Sequence, residues 1–540
     1  MFAKIDSHVK FTWLFLFLGL GIVFIPYIFL LNPMWDSWIY FFQVKEHHFR
    51  TLLAMAKDIQ HVFYPIVLTF FGSFPGVMGF RIGVIFFGMG SGILFYLLLK
   101  VGFRMERTTA ALISVFSSIL PFNLVHFELL LAYFSLFCFF IALWIIAKNL
   151  GADRLKLTLK TKSLLYFLFF AAFYNGSLLF FYAIFPLLVA FNLFRIAKHD
   201  GASYFRTWIH YLKFNWEMFL LPIFFWILRR TVFPSYLGYQ DPSFDIPKLF
   251  SILHAPIDYF WRLYDVLMQF DFRNWWFYVF LSGALVLLYK SGYLNQARSF
   301  YQKLLFILVG FIFLYLGIAP YILVNKTIAF TDWGSRDHMI VGYGCAMIIV
   351  GAIQIFFGHF AGRMISLFVA SAFIAQLTCF WLDNIQGWIV DDLKQLSLIY
   401  NLRQDSDAKI STIIIFDDQA TRYAHLSRET RFYEYSGLLK TAFGEEARLG
   451  FSSHDEVGKA YIKKFQEKSL GNSEAQTFLI SGFKGCGREV VLNVEIGWYH
   501  LSEFVTGYLL RRHEWDADFR ERLRKGLKVY GTKAAEIKCT

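Results

Sequence analysis

Asn32-Pro33-Met34-Trp35-Asp36-Ser37-Trp38-Ile39-Tyr40 is the stretch on which the reading of this chain turns. It follows directly on a long apolar run at 11–31, so it lies where the chain leaves a bilayer. Trp35, Trp38 and Tyr40 suit the headgroup layer, because their rings are apolar on the faces and polar at one edge. Asp36 does not suit it. A carboxylate at a bilayer boundary is hard to desolvate and usually serves a function. The plainer reading is a helix N-cap, with Ser37 helping. The remainder of the chain weighs between the two.

Outward from that stretch the chain is apolar in blocks. Of its 540 residues 57% are hydrophobic, 21% aromatic and only 17% charged. A soluble protein carries roughly a quarter of its residues charged. The class is therefore a polytopic α-helical membrane protein. The net charge of +13 sits in short loops between apolar blocks, which is the pattern of cytoplasmic loops and argues against a nucleic-acid partner. A span needs about 20 apolar residues. By that ruler about eleven transmembrane helices are expected: 11–31, 77–99, 108–124, 127–147, 163–178, 179–194, 215–229, 275–290, 303–323, 339–358 and 363–383. Asn175-Gly176-Ser177 interrupts the run at 163–194, which can equally be one broken helix. The first run is too long for a signal-peptide core and has no small-residue cleavage site after it, so it reads as a retained helix.

Orientation follows from the basic loops. Lys4 and Lys10, Lys100 with Arg104 and Arg107, and the loops at 148–162, 195–213 and 290–303 fall on one side, which becomes the cytoplasmic side. The outer side then holds 32–76, the turn at 124–127, 230–274, 324–338 and everything after about 384. Within the outer loop 32–76, residues 41–60 alternate as an amphipathic helix able to lie in the interface; His47 and His48 sit on it. A second amphipathic stretch covers 252–270. Two domains result: 1–384 in the membrane, and 385–540 as a soluble α/β or α+β domain on the outer side. Strands are expected at 410–416, 476–481 and 489–494, and helices at 428–439, 453–467 and 515–529. The Gly-rich run 482–487 reads as a hairpin turn between two of those strands. Cys138, Cys345 and Cys379 fall in apolar blocks as core residues; Cys486 and Cys539 can pair only in an oxidising compartment.

Candidate chemistry gathers on the outer face. Glu128 heads the fourth span, two residues after His126 and seven after Pro121. A helix start favours an acid for electrostatic reasons alone. Two carboxylates, Asp36 and Glu128, near one outer cavity can do general-base work on an acceptor hydroxyl or hold a divalent cation such as Mg or Mn. Arg336, in Thr331-Asp332-Trp333-Gly334-Ser335-Arg336-Asp337-His338, and Lys326 offer cations at the mouth of the tenth span. An Arg fork there suits a phosphate; the structural alternative is a snorkelling interfacial Arg. Arg81, at the start of the second span, has the same choice, or pairs with a nearby acid. His47, His48, His126, Arg81, Lys326, Arg336 and His338 are thus the candidate substrate contacts.

The order of these features resembles the membrane-embedded GT-C glycosyltransferases of the protein-mannosyl and aminoarabinose type. One helix is followed by an outer loop opening on an acid, here Asp36. Then come a helix beginning near an Arg, here Phe80-Arg81, and a basic turn, here Arg104 to Arg107. A third helix ends near a Pro, here Pro121, and a second acid heads the fourth, here Glu128. The likeness covers about 10–148. The chain departs from it in carrying Asp36-Ser37 where members often show two adjacent acids, and Glu128 where Asp is commoner. The resemblance implies an inverting transfer from a polyprenyl-phosphate-linked sugar to a glycan, lipid or protein acceptor on the extracytoplasmic side. It implies Asp36 as the base, Glu128 supporting it or a metal, and Arg336 with Lys326 facing the donor phosphate. A bacterial inner membrane is the expected location, with the N-terminus cytoplasmic and the C-terminal domain periplasmic. Three rival classes stay open: a lipid-linked oligosaccharide polymerase or ligase, a transporter, and a non-catalytic scaffold subunit. A transporter should show mid-helix charges or repeated halves, and few such charges and no repeat are visible.

Overall fold

The computed structural model describes residues 7–34, 37–46, 63–125, 129–150, 157–200, 203–232, 246–271, 273–295, 300–324, 326, 328, 330, 332–420, 430–444, 447–456, 460, 483, 486–496 and 501–537. Among these, eight helices are long and apolar enough to cross a membrane: Ser7–Phe29, Met78–Val101, Leu130–Asn149, Ser177–His199, Tyr204–Arg229, Phe300–Leu323, Val341–His359 and Arg363–Leu402. The chain is a polytopic helical protein with a small C-terminal sheet. It divides into two compact units: Met1–Pro26, Asp58–Val62 and Gly83–Leu382 form the first, and Tyr27–Lys57, Phe63–Ile82 and Asp383–Thr540 the second.

Three of the eleven expected spans hold shorter helices in the first unit. Arg107–Ile119, Leu159–Phe173 and Trp275–Lys290 have 13, 15 and 16 residues. At 1.5 Å per residue a 13-residue helix covers about 20 Å, less than the roughly 30 Å hydrocarbon core. Arg107–Ile119 is instead a core helix, with every residue buried except Arg107 and Ser117. Neighbouring helices take up its polar groups. Ser114 Oγ donates to the Gly92 carbonyl at 2.6 Å, Thr109 accepts from Gln354 at 3.0 Å, and the Trp381 indole donates to the Ile119 carbonyl at 2.7 Å. Apolar length alone cannot separate such a helix from a span, because both are dry.

Two helix breaks have local causes. The run 163–194 breaks after Phe173 and resumes at Ser177–Phe181, where Ser177 Oγ donates to Asn175 Oδ1 at 2.7 Å. Tyr204–Val232 leaves helical geometry at Asn215 (φ −136°, ψ 22°). The carbonyl freed there, on Phe214, accepts from Lys162 Nζ, which also pairs with Glu217. Elsewhere the packing is close. A Cβ on Gly344 would lie 2.3 Å from the Leu314 nitrogen, so Phe300–Leu323 and Val341–Ala352 meet backbone to backbone, as small residues allow between membrane helices.

The second unit contains a four-stranded sheet in the order β2-β1-β3-β4. β1 is Ile413–Asp418, β2 Leu449–Ser452, β3 Gly487–Ile496 and β4 Leu527–Ile537. β1 lies parallel to both β2 and β3, while β4 runs antiparallel to β3. The helix Phe432–Phe443 links β1 to β2 in sequence, the crossover that a parallel pair needs. Ile413, Phe432, Leu449, Phe451 and Phe483 form a core under it. The expectation of a helix over 515–529 is corrected: the helix is Ala517–Lys525, and Gly526 closes it before β4 begins. β2 has no counterpart in the sequence expectation. The strand at 476–481 and half of the run 482–487 lie outside the described residues, as does Cys539. Cys486 is disulfide-bonded, one residue before the pairing of Gly487 with Ile537.

Candidate functional site

One cluster of buried polar groups in the second unit lies around Leu31 and Asn32, the segment that leads to Asp36. A 3-10 turn at Ile25–Phe29 ends the first span, and its last backbone hydrogen bond runs from Leu30 N to the Tyr27 carbonyl. The N–H groups of Leu31 and Asn32 therefore need an acceptor from elsewhere. Asp392, wholly buried, supplies it. Its carboxylate accepts from Leu31 N at 2.6 Å, Asn32 N at 3.1 Å and Asn32 Nδ2 at 2.6 Å, and from the Tyr508 hydroxyl. The Tyr508 oxygen also accepts from Leu31 N at 3.0 Å and lies 2.8 Å from the Phe29 carbonyl. Burial, and then the Asp392 carboxylate beside it, push this phenol well above its usual pKa, so it stays a donor. Two more bonds complete the frame. Arg81, 2% exposed, donates from Nη2 to the Asn32 carbonyl at 3.2 Å, and Asn384 Nδ2 donates to the Tyr27 hydroxyl at 2.9 Å.

On the far side of Asp36 the same unit takes hold again. The helix Ser37–Lys45 packs on Phe432–Phe443. Trp38 lies so close to Gly437 that a Cβ there would stand 2.6 Å from the indole. Lys440 Nζ pairs with Glu46 at 2.6 Å and sits 5.2 Å from the centre of the Phe42 ring. Deeper in the unit, Asp418 takes Lys394 Nζ at 2.5 Å and the Tyr435 hydroxyl at 2.6 Å. A cavity of about 10 Å³, room for roughly one water, is lined there by Asp391, Lys394, Gln395, Thr430 and Tyr435 among others.

The first unit holds the other candidates. Lys326 Nζ pairs with Asp337 at 2.9 Å, Arg336 Nε lies 3.8 Å from the same oxygen, and all three side chains are partly exposed. His338 is buried, its Nδ1 hydrogen-bonded to the Tyr259 hydroxyl and its ring 5.2 Å from that of Phe330. The neighbouring Ser335 accepts from Leu124 N at 3.2 Å, so the turn before His126 and Glu128 meets the stretch carrying Arg336. The structure thus brings Lys326 and Arg336 together at Asp337, turns His338 onto Tyr259 and Phe330 instead, and sets Arg81 against the Asn32 backbone. Asp36, His47, His48, His126 and Glu128 lie outside the described residues. Among the described residues no group of three or more His, Cys, Asp or Glu could hold a metal.

Asp392, Tyr508 and Asp337 are site residues that reading the sequence passes over. Asp391-Asp392 is a double acid inside Trp388-Ile389-Val390-Asp391-Asp392-Leu393, and such a pair in an apolar run is the signal that would have marked it. No protein-family model matches the chain, and no curated protein matches it.

Proposed function

We propose that this protein is an integral-membrane GT-C-type glycosyltransferase. It moves a sugar from a polyprenyl-phosphate donor to a glycan, lipid or protein acceptor on the extracytoplasmic side, with inversion. The observation that carries the reading is the bond from buried Arg81 to the Asn32 carbonyl. It joins two features of the resemblance, the acid-bearing outer loop and the Arg at the second span, four residues before Asp36. In the proposed reaction the Asp36 carboxylate takes the proton of the acceptor hydroxyl as that oxygen attacks the anomeric carbon. The bond from that carbon to the phosphate oxygen breaks, and polyprenyl phosphate leaves. Lys326 and Arg336 are the cations assigned to the phosphate; both approach the same oxygen of Asp337. Asp36 and Glu128 are the carboxylates assigned to a divalent cation, which when bound neutralises phosphate charge. The extracytoplasmic placement of the C-terminal part draws support from the disulfide at Cys486, since disulfides persist in oxidising compartments.

The test is transfer by the purified protein from a polyprenyl-phosphate sugar, wild type against Asp36→Asn. A general base contributes about 10²–10⁴-fold, so loss on that scale is expected; equal rates remove Asp36 as the base. A second reading, a non-catalytic membrane subunit, rests on one observation: His338 and Lys326 are both engaged by protein groups, Tyr259 and Asp337. Undiminished envelope function with both Asp36→Asn and Glu128→Gln in place would favour it.

A further inference from the structure

The helix Ile246–Met268, in the first unit, carries three stripes of side chains. At 3.6 residues per turn each stripe fits an arc of about 80°. Ile252, Ala255, Tyr259, Leu263 and Val266 make the buried one. The helix packs on Phe300–Leu323, and Lys248 Nζ donates to the Leu323 carbonyl at 3.2 Å. Near its other end the Val266 carbonyl accepts from Gln376 Nε2 at 3.0 Å. Ser251, His254, Asp258, Asp265 and Gln269 form an exposed polar stripe. Phe250, Leu253, Ile257, Trp261, Tyr264 and Met268 form the third, and each of these is 47% to 64% exposed.

We propose that Ile246–Met268 is a membrane-surface helix whose partner is the lipid of the bilayer. It lies in the headgroup layer, with the exposed apolar stripe in the acyl boundary and the polar stripe in water. An apolar stripe beside a polar one is what lets a helix lie in that plane. The composition agrees: Trp261 and Tyr264 stand in the stripe, and Trp and Tyr collect at membrane–water interfaces. The apolar exposure also continues along the chain, to Trp275 and Trp276 at the head of Trp275–Lys290. A spanning placement is disfavoured although the helix is about 35 Å long. Asp258 is the thirteenth of its 23 residues and exposed, so a span would set a carboxylate in hydrocarbon near the midplane, a costly place for charge. Full exposure to water is disfavoured as well, because a contiguous row of large apolar side chains marks a contact surface. The placement reaches further than the helix itself. Tyr259, on the buried stripe, bonds His338 Nδ1 through its hydroxyl, so the stretch carrying Arg336 is held near the depth of lipid phosphates.

The test uses the full chain in phosphatidylcholine nanodiscs, with single cysteines at exposed positions so that folding is not challenged. Leu253→Cys, Ile257→Cys and Trp261→Cys sample the apolar stripe. His254→Cys, Asp258→Cys and Asp265→Cys sample the polar one. Each variant carries a nitroxide, and the unsubstituted chain labelled in parallel is the blank. Power saturation reads collision with oxygen, which concentrates in lipid, and with a water-soluble nickel complex. The apolar-stripe labels should respond to oxygen and lie about 5–10 Å into the headgroup and acyl boundary. The polar-stripe labels should respond to nickel. Three outcomes overturn the proposal. A label at 258 in hydrocarbon, about 15 Å deep in a core of about 30 Å, means that the helix spans. Apolar-stripe labels shielded from both reagents mean that a partner protein or a second copy covers the stripe. Apolar-stripe labels reached by nickel mean that it stands in water. No outcome depends on sugar transfer, so the result is independent of the transferase reading.

Discussion

The Lys326–Asp337 pair and the Asp392 cluster are both polar groups near the ends of apolar helices, yet they are built in opposite ways. In the first unit, Lys326, Arg336 and Asp337 are 23%, 28% and 14% exposed. In the second, Asp392 is 0% exposed and both of its oxygens accept hydrogen bonds. A part-exposed pair contributes little to stability, so its cations can exchange a carboxylate for an incoming phosphate at small cost. A buried carboxylate cannot let go in the same way, because the donors it leaves would be stranded without water. The comparison separates groups able to meet a ligand from groups that fix the chain around them.

Four substitutions or titrations can break or sharpen that contrast. The largest effect is expected from Asp392→Ala, which takes the carboxylate from two backbone N–H groups and a phenol in a dry site. A loss of about 3 kcal/mol or more is expected, since each neutral donor stranded in a buried site costs about 1–3 kcal/mol; thermal unfolding in detergent measures it. A change under about 1 kcal/mol would mean that water reaches the site. Gly437→Val comes next. Its side chain enters a space where the Trp38 ring already stands 2.6 Å from the Cβ position, and overpacking of that kind costs about 1–3 kcal/mol. Unaltered unfolding would show the helix Ser37–Lys45 to be loosely seated.

Acid should act on the same unit through His513. It is buried, its ring stacks on Tyr508 at 5.6 Å, and burial holds its pKa below the usual value. The unfolded chain takes up a proton near pH 6.5 that the folded one refuses. Stability should therefore decline as pH falls below about 6.5, and then level off once the folded ring is protonated. His513→Gln should flatten that slope; a wild-type curve as flat as the variant's contradicts the assignment. The smallest stability effect belongs to Lys326→Ala, at most about 1 kcal/mol for a part-exposed pair. Under the transferase reading the same change raises KM for the lipid donor, so a stability loss without a KM change would make Lys326 purely structural.

What the sequence made legible, and what it hid, follows the same divide. Apolar length marks most of the helices, because a residue's cost in lipid is local to the residue. It fails for Arg107–Ile119, whose Thr108, Thr109, Ser114 and Ser118 are buried against protein. Ile413–Phe416 is readable as a strand from its β-branched run. Leu449–Ser452 is too short and β4 too charged, with Lys528, Lys533 and Glu536, to show period-two alternation. Lys326, Arg336 and Arg81 stand out as charges beside apolar blocks. Asp392 and Tyr508 are 116 residues apart, and their meeting at Leu31-Asn32 depends on tertiary packing that no local pattern encodes.

The central claim, that Asp36 is a base in sugar transfer, meets its most direct test in one assay. Release of free polyprenyl phosphate from a sugar-loaded donor is followed with acceptor present, in wild type and in Asp36→Asn at equal folded concentration. The account expects acceptor-dependent release by the wild type and a drop of about 100-fold or more in the variant. Release at the same rate by both proteins would contradict it.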